Sequence, residues 1–272
     1  MIGLALLIAA APTIWAPAPV SSPMFESHAA FDPWTGDLYF VRSSPEFRGW
    51  RILVSRCGAN GWQPPVDAPF AGDGVEADPV FVDRTLWFIS TRTTDGVRGR
   101  GLDIWTVEHG FHGHWSTPVR LPEPVNSTGN EWFPRPGRDG WLYFGSDRPG
   151  GLGRTDIWRA RRGADGGWTV ENAGPALNSA ADEYEPLVTP DGTRMLLMTS
   201  EGYFQSRLTE AGWSPRERLG PEINLNGSEI GAIFSPSGRA FLFARNLGDG
   251  RSGEFMIAGA PEPGWPPACP RH

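Results

Sequence analysis

The sequence predicts an all-β chain, a five-bladed β-propeller of four-stranded antiparallel blades, and two registers and one compositional fact carry that expectation. A Glu that opens a short strand, followed by a tight turn and an aromatic strand, returns at Glu26, Glu76, Glu131, Glu183 and Glu229, at intervals of 50, 55, 52 and 46 residues. A Trp beside a Gly or His turn returns at Trp62, Trp115, Trp168, Trp213 and Trp265. Two independent registers with one period and strand-like content mark one blade per repeat. The 35 Gly and 27 Pro among 272 residues demand many turns, and no window holds a sustained helical apolar period.

The elements follow in chain order. Residues 1–16 open with Met1, an apolar run from Ile2 to Ala11, and then Pro12 to Ala16. That run is too short to span a bilayer and suits the core of a signal peptide, with cleavage expected after Ala16 or Ala18. The alternative is that Trp15 to Val20 forms an outer strand. Residues 17–272 are expected to form the propeller, with repeats starting near 26, 76, 131, 183 and 229. Repeat one carries Asp32-Pro-Trp-Thr-Gly and then Leu38-Tyr-Phe; repeat two carries Leu86-Trp-Phe-Ile-Ser-Thr-Arg and Asp103-Ile-Trp. Repeat three is the most regular: Glu131-Trp-Phe-Pro, a turn at Pro136-Gly-Arg-Asp-Gly, an aromatic strand from Trp141, and Asp156-Ile-Trp after a Gly-rich hairpin. Repeat four has Thr189-Pro-Asp-Gly and Leu196-Leu-Met, and repeat five has Ser235-Pro-Ser-Gly and Phe241-Leu-Phe. Turn chemistry, strand length and spacing agree throughout. Cys57 and Cys269 fall in the first and last repeats, which are neighbours in a closed ring; a bridge and two free thiols both remain open.

The segment Phe144-Gly-Ser-Asp-Arg-Pro-Gly-Gly-Leu-Gly-Arg-Thr-Asp-Ile-Trp158 resembles the WD-repeat-like unit of the periplasmic TolB-type β-propeller family. The Pro-Asp-Gly or Pro-Ser-Gly turn before an aromatic strand is similar too. The resemblance covers residues 26–265, and repeat four departs from it, with Glu201 and Phe204-Gln-Ser in place of the Arg and the Asp-Ile-Trp. It implies a periplasmic or secreted propeller that binds a protein of the cell envelope.

Strands alternate in direction within a blade, so the start of strand one and the turn between strands two and three share a face. The five Glu residues and the Arg-bearing hairpins are therefore expected on one face, around the mouth of the central channel. As a ring they offer a binding site for a cation or basic peptide; alternatively each accepts backbone N–H groups or pairs with a neighbouring Arg. Arg92 and Arg148 occupy matching positions for that pairing, with Arg42 and Arg245 about two residues earlier. Asp103 and Asp156, opposite Arg92 and Arg148, are expected to pair with them within a blade. Asn126, Asn178 and Asn224, each five residues before a repeat Glu, are expected to close their own loops. Glu108, His109, His112 and His114 form the one dense group of metal-ligand types, and they read as a solvated turn with no metal.

All 24 basic residues are Arg, and the net charge of −7 argues against nucleic acid or anionic lipid as a partner. There is no nucleophile elbow and no phosphate-binding loop, and no cofactor is expected. The functional expectation is an exported, monomeric, non-catalytic binding module for a cell-envelope protein or peptide. The alternative is a glycoside hydrolase or polysaccharide lyase, which requires two carboxylates in unlike environments; Asp78, two residues after Glu76, and Glu185, two after Glu183, are the places where the repeat departs from uniformity.

Overall fold

A computed structural model describes residues 11–94, 97–98, 101–110, 113–248 and 253–269, and these residues form β-strands and turns without an α-helix. In repeat one, β1 (Thr13–Trp15) precedes β2 (Phe25–Phe31), β3 (Leu38–Ser43) and β4 (Arg51–Ser55); a small hairpin of β5 (Cys57–Gly58) and β6 (Gly61–Trp62) leads to β7 (Val66–Asp67). Repeat two contains β8 (Glu76–Val82), β9 (Thr85–Ser90), the hairpin β10 (Thr93–Thr94) and β11 (Val97–Arg98), β12 (Asp103–Glu108) and β13 (Val119–Arg120). Repeat three is β14 (Glu131–Pro136), β15 (Leu142–Ser146), β16 (Asp156–Arg162) and β17 (Trp168–Asn172). Repeat four is β18 (Glu183–Val188), β19 (Arg194–Thr199), β20 (Gly202–Thr209), β21 (Gly212–Trp213) and β22 (Glu217–Arg218). Repeat five is β23 (Ile230–Phe234), β24 (Ala240–Asn246) and β25 (Gly253–Gly259).

Each repeat pairs its strands antiparallel in sequence order, as in β14-β15-β16-β17. The innermost strands touch in a closed circle, β2 to β8, β14, β18, β23 and back to β2. Backbone joins the repeats: the N–H groups of Glu76, Glu131 and Glu183 donate to the carbonyls of Trp50, Leu102 and Thr155, each the residue just before β4, β12 or β16 of the preceding repeat. Repeat Trp residues pack across the same seams. Trp115 lies 5.7 Å from Tyr39 of repeat one, and Trp213 lies 6.2 Å from Tyr143 of repeat three.

The first described strand and Cys269 meet the seam between repeats five and one. Thr13–Trp15 pairs antiparallel with β25, Trp15 opposite Phe255, and the Trp15 ring contacts Phe31 and Phe255. This short strand lies inside the span expected to leave with a signal peptide, and a cut after Ala16 or Ala18 would remove it. Cys57 and Cys269 form a disulfide with Cα atoms 5.5 Å apart, which ties the end of the chain to repeat one. No helix among the described residues is long and apolar enough to cross a membrane.

Candidate functional site

The five repeat Glu residues lie buried below the loops, at 0–1% exposure. Each holds an Arg. Glu26 meets Arg42 at 2.7 Å, while Glu131–Arg148, Glu183–Arg216 and Glu229–Arg245 stand at 2.9 Å; Glu76 pairs with Arg92. Each also accepts an N–H from the residue four positions earlier: Ser22, Gly72, Ser127, Ser179 or Leu225. The same Arg residues donate to carbonyls one turn further back, those of Val20, Phe70, Val125, Leu177 and Ile223. A recurring Glu–Arg–backbone unit thus staples each loop to its blade, and burial raises the Glu26 and Glu131 carboxyls above their ordinary range. In repeat four, which lacks the hairpin Arg, Arg216 arrives from beyond β21. Sequence reasoning missed it because the residue lies far from the motif it completes.

Several expected partners differ. Asp103 pairs with Arg120 at 2.7 Å instead of Arg92. Asp156 accepts the N–H groups of Leu152 and Gly153 and the Asn172 amide, which fixes the Gly-rich hairpin. Arg92 and Arg148 turn inward to the Glu residues, where burial makes a charge-assisted bond worth more than on the open hairpin. Asn126, Asn178 and Asn224 clamp the preceding repeat's third strand, their side chains pairing with both N–H and C=O of Ile104, Ile157 and Tyr203 as an added strand would. Their bonds to their own loops are secondary. In the His group, His112 lies outside the described residues; His109 Nδ1 stands 2.7 Å from Asp32 Oδ2 and its ring stacks on Trp115, and no metal-ligand cluster occurs among the described residues.

The residues that face the channel stand two positions after each Glu. There every innermost strand shifts register, and His28, Asp78, Phe133, Glu185 and Gly231 have φ between 51 and 72°. Such a bulge re-aims a side chain and bends the strand, and the left-handed conformation of the four non-Gly residues is costly unless surrounding contacts fix it. Pro79, Pro134 and Pro186 follow three of these bulges, where no ladder N–H is needed; the Glu-x-x-Pro run was the sequence signal for them. Gly231 is required, since a Cβ there would sit 2.6 Å from the His28 nitrogen.

This layer is a connected, buried polar centre. His28 Nε2 lies 3.2 Å from Asp78 Oδ1, Asp78 Oδ2 accepts the Phe133 N–H at 2.8 Å, and the His28 ring stacks on Phe133 at 5.5 Å. Glu185 Oε1 accepts the Tyr203 hydroxyl at 2.7 Å and the Ala232 N–H. Burial pushes Asp78 up to about 6 and Glu185 up to about 7, against the pull of Arg135 and their hydrogen bonds. Burial also pushes His28 down to about 3, so the ring is neutral. Above the layer Phe47 packs on Phe25 and Trp50 at 5.3 Å and stacks on His28. Beside this cap a cavity of about 380 Å³ opens on the Glu face, lined by Phe25, Glu46, Phe47, Tyr184, Met198 and Ile230 among others.

Glu131 gives a direct test of the stapling unit. Glu131→Ala leaves the Ser127 N–H and the Arg148 guanidinium without their acceptor, a cost of about 1–3 kcal/mol for a buried group. The melting temperature should fall by several degrees, and Glu131→Gln, which keeps an acceptor oxygen, should lose less. Equal or higher stability in both variants would show that the unit does not hold the loop.

No family model and no curated protein matches this chain. Among solved structures the chain is similar to a thermostable family-43 glycoside hydrolase, with a TM-score of 0.51 at 12% identity over 92% of this chain and 94% of that one. It is also similar to a TolB-type protein of Agrobacterium tumefaciens, with a TM-score of 0.49 at 16% identity over 82% and 70% of the two chains. A GH62 α-L-arabinofuranosidase catalytic domain from Coprinopsis cinerea gives 0.49 at 12% identity over 91% and 94%. At 12% identity the likeness to the family-43 enzyme shows the fold, a β-propeller, and nothing of activity.

Proposed function

We propose that the chain is a five-bladed propeller of four-stranded blades, with β1 as the fourth strand of the last blade, and that it serves as an exported, non-catalytic binding module for a cell-envelope polypeptide. Export is consistent with the Cys57–Cys269 disulfide. We further infer that processing retains Thr13–Trp15, since these residues complete the sheet at the seam. The observation that carries the binding reading is the split on the Glu face between carboxylates paired with Arg and an open, largely apolar cavity. The repeat Glu residues are engaged by Arg and backbone, and of the five Glu229 alone lines the cavity, already paired with Arg245. The cavity beside Phe47 instead offers aromatic and aliphatic walls, with the exposed Glu46 at its rim. Leu225, 64% exposed, stands in the adjoining loop. Apolar walls beside an ionised rim suit an apolar side chain flanked by a basic one on a polypeptide.

The test is capture from envelope extract by the immobilised protein, followed by identification and titration of the captured polypeptide. Leu225→Asp and Glu46→Arg should weaken that titration at least tenfold, and Leu208→Asp, near the opposite face, should leave it unchanged. Loss with Leu208→Asp alone would place the contact elsewhere and end this reading. Mass spectrometry of the mature protein checks the export reading: an N-terminus after Met1 and at or before Thr13 is expected, and an intact Met1 on protein from the soluble cytoplasmic fraction would overturn it.

One observation favours a second reading, an enzyme acting on carbohydrate: Asp78 and Glu185 are unlike carboxylates, both titrating far above their ordinary range at the channel centre. Against it, both side chains are within 2% of full burial and already hold hydrogen bonds from neighbouring strands. Turnover of any member of an oligosaccharide and uronate panel, lost in Glu185→Gln, would establish that reading.

A further inference from the structure

The next layer down the channel consists of the residues four positions after each repeat Glu: Ala30, Val80, Arg135, Leu187 and Ile233. Four are apolar and one is a cation. Arg135 is 5% exposed, and its Nε has no hydrogen-bond partner. The bond it makes is from NH1 to the neighbouring Pro134 carbonyl, and among the described residues no carboxylate comes within 4 Å of its nitrogens. Burial lowers the guanidinium's affinity for its proton, and Asp78 and Glu185, acting from further away, offset that only in part. One oxygen of each already accepts hydrogen bonds, Asp78 Oδ2 from the Phe133 N–H and Glu185 Oε1 from Tyr203 and the Ala232 N–H.

A buried guanidinium whose Nε has no acceptor and which has no carboxylate partner is costly, and a nearby apolar wall does nothing to relieve it. Arg135 is not sealed away, however. It lines a cavity of about 520 Å³ that opens on the face opposite the Glu residues, between the turns joining the first and second strands of repeats two, three and four. Val80, Leu187, Ile233 and Phe234 form apolar walls, with Arg138 and the single acid Asp83 also lining it. A cavity of this size with apolar walls and one convergent polar group has the make-up of a small-molecule site. The guanidinium's forked donors match a carboxylate in shape and charge.

We propose that this end of the channel binds the carboxylate of an aliphatic acid, with the acid group on Arg135 and the hydrocarbon body against Val80, Leu187 and Ile233. The acid can be free or the C-terminal residue of a peptide, and both present the same group. The site lies across the molecule from the Glu face and does not rest on the polypeptide-binding reading.

Titration calorimetry on the full chain tests it with four probes: hexanoate, hexanamide, N-acetyl-Ala-Leu and its C-terminal amide. At least one acid should bind, and its amide should bind at least tenfold more weakly. The tighter of the two acids identifies the source. Arg135→Gln should reduce acid binding at least tenfold. Val82→Trp, at the 37%-exposed rim, should block the mouth without altering Arg135 and should also abolish binding. Should Arg135→Gln fail to fold, the acid–amide comparison and Val82→Trp decide the matter on folded protein. Equal binding of acid and amide, no binding of either acid, or full binding by Val82→Trp would each overturn the proposal.

Discussion

Reducing the Cys57–Cys269 bridge should lower the melting temperature by roughly 10 °C, the largest single effect expected for this chain. The two cysteines are 212 residues apart. A cross-link closing so long a loop removes about 5 kcal/mol of unfolded-state entropy on the loop-closure model, and each kcal/mol moves the midpoint by about 2–4 °C in a domain of this size. Native contacts set how much of this is realised. The bridge acts where repeat five meets repeat one, a seam that also carries the three pairs of β1 on β25, the parallel contact of Phe25 with Gly253 and the Ser21 hydroxyl on Glu254. Thermal unfolding with and without reductant, beside a Cys57→Ser/Cys269→Ser double variant, measures the effect, and the reduced protein and the variant should coincide. A chain beginning at Pro17 should lose several degrees more, since it exposes the β25 edge and the faces of Phe31 and Phe255 that Trp15 covers. Unchanged melting in reductant and in the double variant would mean that the seam closes without the bridge.

Glu185→Gln should stabilise the protein at pH 8 and leave it nearly unchanged at pH 4.5. The Glu185 carboxyl titrates at about 7 in the fold against an ordinary 4.5, and burial is the largest cause. Between those values the unfolded chain has released its proton while the folded chain retains it. Stability from this group is therefore fully present below pH 4.5, falls as the pH rises towards 7, and stays low above. At 1.36 kcal/mol per pH unit the interval amounts to about 3 kcal/mol. A Gln does not titrate, and its carbonyl oxygen can still accept the Tyr203 hydroxyl and the Ala232 N–H. Asp78, pushed up to about 6, acts in the same direction, whereas His28, held neutral down to about 3, acts in the opposite one: between about 3 and 6.5 the unfolded imidazole binds a proton that the folded ring does not, so its penalty on the fold shrinks as the pH rises to 6.5. The difference between wild type and variant reports Glu185 together with its coupling to Asp78. Melting curves from pH 4.5 to 8 should show the variant's advantage growing to several degrees. A difference that is constant across the range, or a variant less stable throughout, would show that Glu185 does not titrate in this way.

Much of the architecture was legible because it repeats. Glu26, Glu76, Glu131, Glu183 and Glu229 recur because every loop needs the same acceptor for its N–H groups, and a need met five times leaves a period in the chain. The repeat Trp residues recur because each seam between sheets must be filled by a large ring. Arg42, Arg92, Arg148 and Arg245 were visible as partners for the same reason. The channel layer was half legible. Glu-Ala-Asp-Pro, Glu-Trp-Phe-Pro and Glu-Tyr-Glu-Pro all signal a bulge, and Asp78 and Glu185 stood out as departures from the repeat, but nothing local says that such a bulge turns its side chain to the axis.

The sequence by itself determined the all-β character, the period, and the face on which the repeat Glu residues lie. These depend on strand alternation and turn chemistry, which act within a few residues. Tertiary structure alone decided what each polar group meets. It placed Arg216 on Glu183 and Arg120 on Asp103, turned Asn126, Asn178 and Asn224 onto strands some 20 residues away, and brought His28 to Asp78 and Arg135 to the floor of a cavity. It also carried Thr13–Trp15 to β25 and Cys269 to Cys57. Such pairings arise only when the sheets close into a ring, because the energy of a buried charge or an exposed strand edge depends on which distant groups the closure delivers, and no local pattern encodes that distance.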